Sequence, residues 1–296
     1  MREEKGMKRS IWLVLVTLAV LSFSRVGVAD VLDPLDNMSA PPGTFVFLTY
    51  TGQAHFPDYA DNNGDDIKFD LDQSFLLLRP LYVIGKIADK MTYGVNAVIP
   101  IAHLSLGSGN EMGLPSVSEF GLGDIVLSPF IFLYENTDSQ FYISLWEFIN
   151  TPTGDYSEKN AVNIGRDTWF FQHQLALGWY PGKFGLDVCL NYWQYLESDE
   201  LSIQEPDAIE LEAVVSYGVT DKFRVGLNAA YWMGLDDWEY DGVTAPDTEP
   251  MNLKLGLNLS YALKENFIAG IRWMHDVDSE NYVNGDWAYL RLTYIF

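Results

Sequence analysis

The sequence predicts an all-β chain: a transmembrane, antiparallel, up-and-down β-barrel of about twelve strands. Three observations predict it. Several segments alternate strictly with period 2, short and long connections alternate, and the last segment runs from Trp287 to a terminal Phe296 as one more alternating strand. In that segment Phe296, Tyr294, Leu292, Leu290 and Ala288 fall on one face. Trp287, Tyr289, Arg291 and Thr293 fall on the other, with Ile295 as the one apolar exception. Side chains alternate across a strand, so one face suits lipid and the other a wetter interior.

The N-terminus agrees with this placement. Arg2, Lys5, Lys8 and Arg9 precede an apolar run from Ile11 to Phe23, and Gly27-Val28-Ala29 supplies small residues for cleavage. That pattern predicts a secretory signal peptide over residues 1–29. The run falls short of the ~20 residues a spanning helix needs. Residues 30–296 are then the barrel domain, expected in the outer membrane of a Gram-negative bacterium.

Composition narrows the function. The chain is 48% hydrophobic and 15% aromatic yet carries a formal net charge of −23. Binding nucleic acid by phosphate neutralisation is excluded by that balance. The single cysteine, Cys189, allows neither an internal disulfide nor a cysteine metal cluster.

Along the chain, Phe184, Leu186, Val188, Leu190 and Tyr192 interleave with Gly185, Asp187, Cys189, Asn191 and Trp193. Ile209 to Val219 follows the same rhythm around Glu210 and Glu212, as does Phe223 to Trp232 around Arg224 and Asn228. Met251, Leu253, Leu255, Leu257, Leu259, Tyr261 and Leu263 all fall on one side of a strand, where a helix would scatter them. Tight polar turns are expected at 88–90, 135–138, 181–183, 220–222 and 264–266. Longer loops are expected at 57–66, 107–118, 150–167, 198–206, 237–249 and 277–284. Eleven connections make twelve strands, with the last closing against the first near Phe45–Thr51. Aromatic residues flank the short turns, among them Tyr82, Tyr134, Trp179, Phe184, Tyr217 and Tyr261. Such rings suit an interfacial girdle on the periplasmic side.

If the apolar faces meet lipid, the lumen candidates are Asp124, Asp187, Trp193, Glu210, Glu212, Arg224, Trp232, Lys254, Arg272, Trp287, Tyr289 and Arg291. Such charges either brace a filled interior or line a route. Twelve strands lie below the size of open porins, so a narrow, partly plugged lumen is expected. The tryptophans offer stacking surfaces to an aromatic solute.

The outer loops are acidic, with Asp58, Asp61, Asp65 and Asp66 in one and Asp237, Glu239, Asp241, Asp247 and Glu249 in another. Asp61-Asn62-Asn63-Gly64-Asp65 lacks the spacing and distal glutamate of an EF-hand, so no metal is expected. Divalent ions bridging these loops to lipopolysaccharide are a weaker idea. Of the four histidines, only His103-Leu104-Ser105 suggests a serine–histidine pairing, and no supporting third group accompanies it. Neither catalytic residues nor a cofactor are expected.

Gly121-Leu122-Gly123-Asp124, Ser128-Pro129 and Pro152-Thr153-Gly154-Asp155-Tyr156, with Gly165 and Trp169 downstream, carry a family resemblance. With them the chain resembles the outer-membrane family labelled for the meta-pathway of phenol degradation, whose members are often described as transporters. The resemblance implies a barrel linked to uptake of aromatic or other hydrophobic compounds. It implies no catalytic residues. Read as residues, the glycines allow close strand contact, and the Pro-Thr-Gly-Asp run suits a turn opening a long loop.

The expected function is passive uptake of small hydrophobic or aromatic compounds. A structural or adhesive barrel without transport is the first rival and a barrel hydrolase the second. Expected partners are outer-membrane lipid, lipopolysaccharide, a small hydrophobic solute, and the barrel assembly machinery acting on the strand that ends at Phe296.

Overall fold

The computed structural model describes residues 32–157, 159–198 and 202–296; the predicted signal peptide lies outside them. Twelve strands form the barrel. They are β1 (Phe45–Ala60), β2 (Asp66–Ile87), β3 (Met91–Leu106), β4 in two pieces (Val117–Leu122 and Val126–Asn136), β5 (Phe141–Asn150) and β6 (Phe170–Trp179). The second half comprises β7 (Phe184–Tyr195), β8 (Ala208–Gly218), β9 (Phe223–Gly234), β10 (Met251–Lys264), β11 (Phe267–Glu280) and β12 (Tyr282–Ile295). Each pairs antiparallel with the next, and β12 closes on β1 from Val46↔Ile295 to Ala60↔Tyr282. Closure leaves no unpaired sheet edge, which is what lets strands stand in hydrocarbon.

The orientation of the alternating faces follows from exposure. Leu255, Leu257 and Leu259 are 46%, 51% and 45% exposed, while Asn252, Lys254 and Asn258 between and beside them are 1%, 9% and 3% exposed. The leucines therefore form the lipid wall and the polar residues face the lumen. Tyr82, Tyr134, Trp179, Phe184, Tyr217 and Tyr261 lie exposed beside the short turns, as an interfacial girdle requires. The barrel is inverted relative to a soluble protein: its packed core is inside the lumen.

Three boundaries differ from the sequence reading. The expected loop over 277–284 is a tight turn, with β11 running to Glu280, β12 starting at Tyr282 and Asn281 at φ 47° between them. The expected loop over 57–66 shrinks to 61–65, and the β1–β12 contact extends far past Thr51. The cause is common to all three. Beyond the membrane both faces of a strand are wet, so alternation no longer marks it. Residues 198–206 and 237–249 also gain a small three-stranded sheet, from Ile203–Gln204, Glu239–Tyr240 and Val243–Thr244.

Candidate functional site

The lumen is filled from both ends. At the inner end residues 32–43, ahead of β1, enter the barrel. Arg291 on β12 holds this segment with both arms, Nη1 to Asp33 at 2.7 Å and Nη2 to Asp36 at 2.7 Å. Tyr289 donates to Asp33 at 3.1 Å, and Arg272 Nη1 donates to the Leu32 carbonyl at 3.1 Å. On the opposite wall Asp187 accepts from the backbone N–H groups of Leu35 and Asn37 and from the Tyr180 hydroxyl at 2.5 Å. Burial pushes the Asp36 carboxyl up from its ordinary range, with Arg291 pulling it back and Asp33 adding to the rise. Charge-assisted bonds of this kind contribute roughly 1.5–3 kcal/mol each, so the segment is anchored firmly.

At the outer end the lining is apolar. Phe170, Trp193, Trp232 and Tyr282 pack with Leu104 and with Val162 and Ile164 of the 150–167 loop. Arg166 sits buried within this cap, paired with Glu205 and stacked over Phe170 and Tyr195. A hydrogen-bonded knot in the wall brings the loop inward. Asp124, in the break of β4, accepts from Gly154 N and Arg166 N, each at 2.8 Å, while Asp155 accepts from Leu122 N at 2.8 Å. A Cβ on Gly121 would fall 2.0 Å from the Asp155 carboxylate, so a larger residue there would push Asp155 off its bond to Leu122 N.

A charged belt lies between the ends. Glu210 accepts from Asn191 and from the Trp193 indole, and Glu212 from Asn191. Lys254 stands 5.9 Å from the rings of Tyr282 and Trp287, and Arg272 stands 5.2 Å from that of Trp287. These are desolvated cation–aromatic contacts.

The candidates read from sequence thus sort by place. Asp187, Arg272, Tyr289 and Arg291 converge on the N-terminal segment, and Glu210, Glu212, Lys254 and Trp287 form the belt. Trp193 and Trp232 belong to the outer cap. Asp124 ties the wall knot, and Arg224 sits near the short-turn end, donating to Ser216 and the Lys183 carbonyl. Beside the inner segment lies a cavity of about 330 Å³, lined by Leu48, Leu81, Phe130, Phe132, Trp146 and Phe148 together with the charged Asp33, Asp36, Arg79, Glu212 and Arg291. Sequence reading missed this cavity and Asp33, Asp36 and Arg166. Residues 126–134 are apolar on both faces, so parity there could not tell lumen from lipid; Asp33-Pro34-Leu35-Asp36 was the available signal for the segment.

All four histidines face outward. His103 bonds Ser118 at 2.8 Å rather than Ser105, and His55, His173 and His275 pair with Asp72, Glu147 and Asp286. Among the described residues no group of three or more His, Cys, Asp and Glu side chains is placed to hold a metal. Asp61 caps its own turn, accepting from Asn63 N and Asp65 N.

A closed barrel with a lipid-facing apolar wall, an interfacial girdle and a plugged lumen is a bacterial outer-membrane β-barrel. The chain belongs to the family described as "Putative MetA-pathway of phenol degradation", which matches residues 56–292. No curated protein sequence matches it. Among solved structures it is similar to an outer membrane channel from Pseudomonas putida, with TM-score 0.82 and 20% identity over 90% of this chain and 100% of that one. The transport unit of the Escherichia coli autotransporter AIDA-I aligns at TM-score 0.54 and 10% identity, over 96% and 97% of the two chains. A mutant of the TodX monoaromatic hydrocarbon channel aligns at TM-score 0.50 and 9% identity, over 90% and 92%. At these identities the likeness is one of fold.

Proposed function

We propose that this barrel admits small hydrophobic or aromatic molecules through the outer membrane, down their concentration gradient and without catalysis. The observation that carries the reading is the ring-lined cavity of about 330 Å³ beside the N-terminal segment. Its volume lies at the small end of ligand pockets, suited to a single-ring solute. One side of its lining, Phe130, Phe132, Trp146 and Phe148, offers phenyl and indole surfaces that favour offset or edge-on aromatic contact, and Asp33, Asp36, Gln174 and Glu212 line the rest. Membership of a family labelled for phenol degradation, and a fold shared with a channel described for monoaromatic hydrocarbons, support the same substrate class. In the same reading residues 1–29 direct export, the assembly machinery engages β12 through Phe296, and the acidic outer loops face lipopolysaccharide.

The test is toluene entry into asymmetric vesicles with lipopolysaccharide in the outer leaflet. Vesicles holding the protein should load faster than protein-free ones, and faster for toluene than for a polar solute of equal size. Equal loading would leave the structural-barrel reading, which the two-ended filling of the lumen favours. A hydrolase reading rests on the His103–Ser118 contact; ester cleavage abolished in Ser118→Ala would support it.

A further inference from the structure

We propose that the inner cavity selects its solute by the head group, and that the substrate class is a monocyclic aromatic carboxylate held by Arg79. This rests on the transport reading above and names its substrate more narrowly. One half of the cavity is a wall of rings on β4 and β5. Phe130 and Trp146 stack at 4.2 Å, Phe148 continues the stack, and Phe132 stands edge-on to Phe130 at 6.1 Å. Rings alone would suit any arene. The other half of the cavity is what discriminates.

The acidic groups of that half already have partners. Asp33 accepts from Arg291, Tyr289 and Asn258, Asp36 accepts from Arg291 and from the Asp33 N–H, and Glu212 accepts from Asn191. Arg79 on β2 differs. It is half-buried, and its one side-chain bond to the described residues runs from Nε to Asn96 Oδ1 at 3.1 Å. Asp33 and Asp36 bond Arg291 instead, so Arg79 makes no ion pair among the described residues. The wall around it shows the same lack. Asn96 Nδ2, Ser128 Oγ and the Tyr50 hydroxyl are all buried without a hydrogen-bond partner. The ladder makes these groups neighbours. Leu48 stands opposite Arg79, which puts Tyr50 diagonal to it across β1 and β2, and Asn96 stands opposite Ser128 across β3 and β4. Ser128 and Phe130 are two apart on one strand and share its inner face, which joins this patch to the rings.

Each of these four groups can donate a hydrogen bond, and together they lack an acceptor. A buried donor left unmatched is costly, so an occupant with an oxygen acceptor gains what a plain hydrocarbon cannot. A guanidinium fork matches a carboxylate with two parallel bonds, and the ring behind that carboxylate meets Phe130 and Trp146. An aromatic ammonium would meet carboxylates that already have partners, beside a cation that has none. The cavity therefore fits an anion with a ring.

The experiment uses the full barrel, with binding measured by calorimetry in detergent and entry measured in the same asymmetric vesicles. Benzoate, toluene and benzylamine are the probes, since they share a ring and differ in head group. Wild type should bind benzoate more tightly than the other two. Arg79→Met should weaken benzoate binding at least about tenfold and lower the ratio of benzoate entry to toluene entry. Arg79→Lys keeps the charge and loses the fork, and should fall between. Heat-modifiable gel mobility reports whether each variant has folded; if Arg79→Met has not, Arg79→Lys and the wild-type ranking of the probes decide. Equal benzoate binding by wild type and folded Arg79→Met, or tighter binding of benzylamine than of benzoate, overturns the assignment, and toluene entry then keeps the transport reading. Benzoate binding that depends on Arg79, with no entry of any probe, overturns the transport reading and leaves the binding assignment standing.

Discussion

The two ends of the lumen are sealed by different chemistry. The inner seal is a piece of backbone held by carboxylates, guanidinium groups and amides, with Arg291 gripping Asp33 and Asp36 and Asp187 gripping two backbone N–H groups. The outer seal is a pack of rings and aliphatic side chains that holds the buried pair Arg166 and Glu205. A polar seal can be released one bond at a time, since water replaces each lost partner. An apolar seal with an ion pair inside it fails as a unit, because breaking a buried pair leaves charge in a site that water does not readily reach.

The largest effect should therefore come from the outer end. Arg166→Ala breaks the buried ion pair with Glu205, a loss of about 3–5 kcal/mol, read as a lower unfolding temperature in detergent. Breaking the inner seal should cost less stability and change function more. Arg291→Ala removes both bonds but lets water reach Asp33 and Asp36 as the segment leaves, so the net loss should be about 2–3 kcal/mol, less than two intact charge-assisted bonds would give. Because the segment then leaves the lumen, single-channel conductance should rise; unchanged conductance would show that the segment stays without Arg291. Asp187→Asn keeps acceptor capacity at one oxygen and should cost about 1 kcal/mol, with a smaller conductance rise. If Arg291→Ala proves costlier than Arg166→Ala, the contrast between the two seals is wrong.

The barrel was legible because membrane strands obey a local rule. Met251–Lys264 and the segment ending at Phe296 carry lipid on one face and polar contacts on the other, so parity alone orients them. The rule fails where both faces share one solvent. Residues 277–284 are polar on both sides outside the membrane, and residues 126–134 are apolar on both sides within it. The first stretch reads as a loop by alternation and is two strand ends; the second gives no parity signal for the cavity behind it. Arg272, Tyr289 and Arg291 were legible as lumen residues, but their partners were not, since Arg291 meets Asp33 across 258 positions of chain.

The sequence by itself determined the strands, their twelvefold count, the inward face of most of them and the membrane they suit. Those follow from period-2 burial against lipid, a property each segment carries alone. Only the tertiary structure decided what fills the lumen: that residues 32–43 turn back inside, that the 150–167 loop is tied inward through Asp124, and that Phe130 and Trp146 stack beside the inner cavity. Closing the barrel brings these distant residues within bonding distance, and no local pattern encodes a contact made by closure.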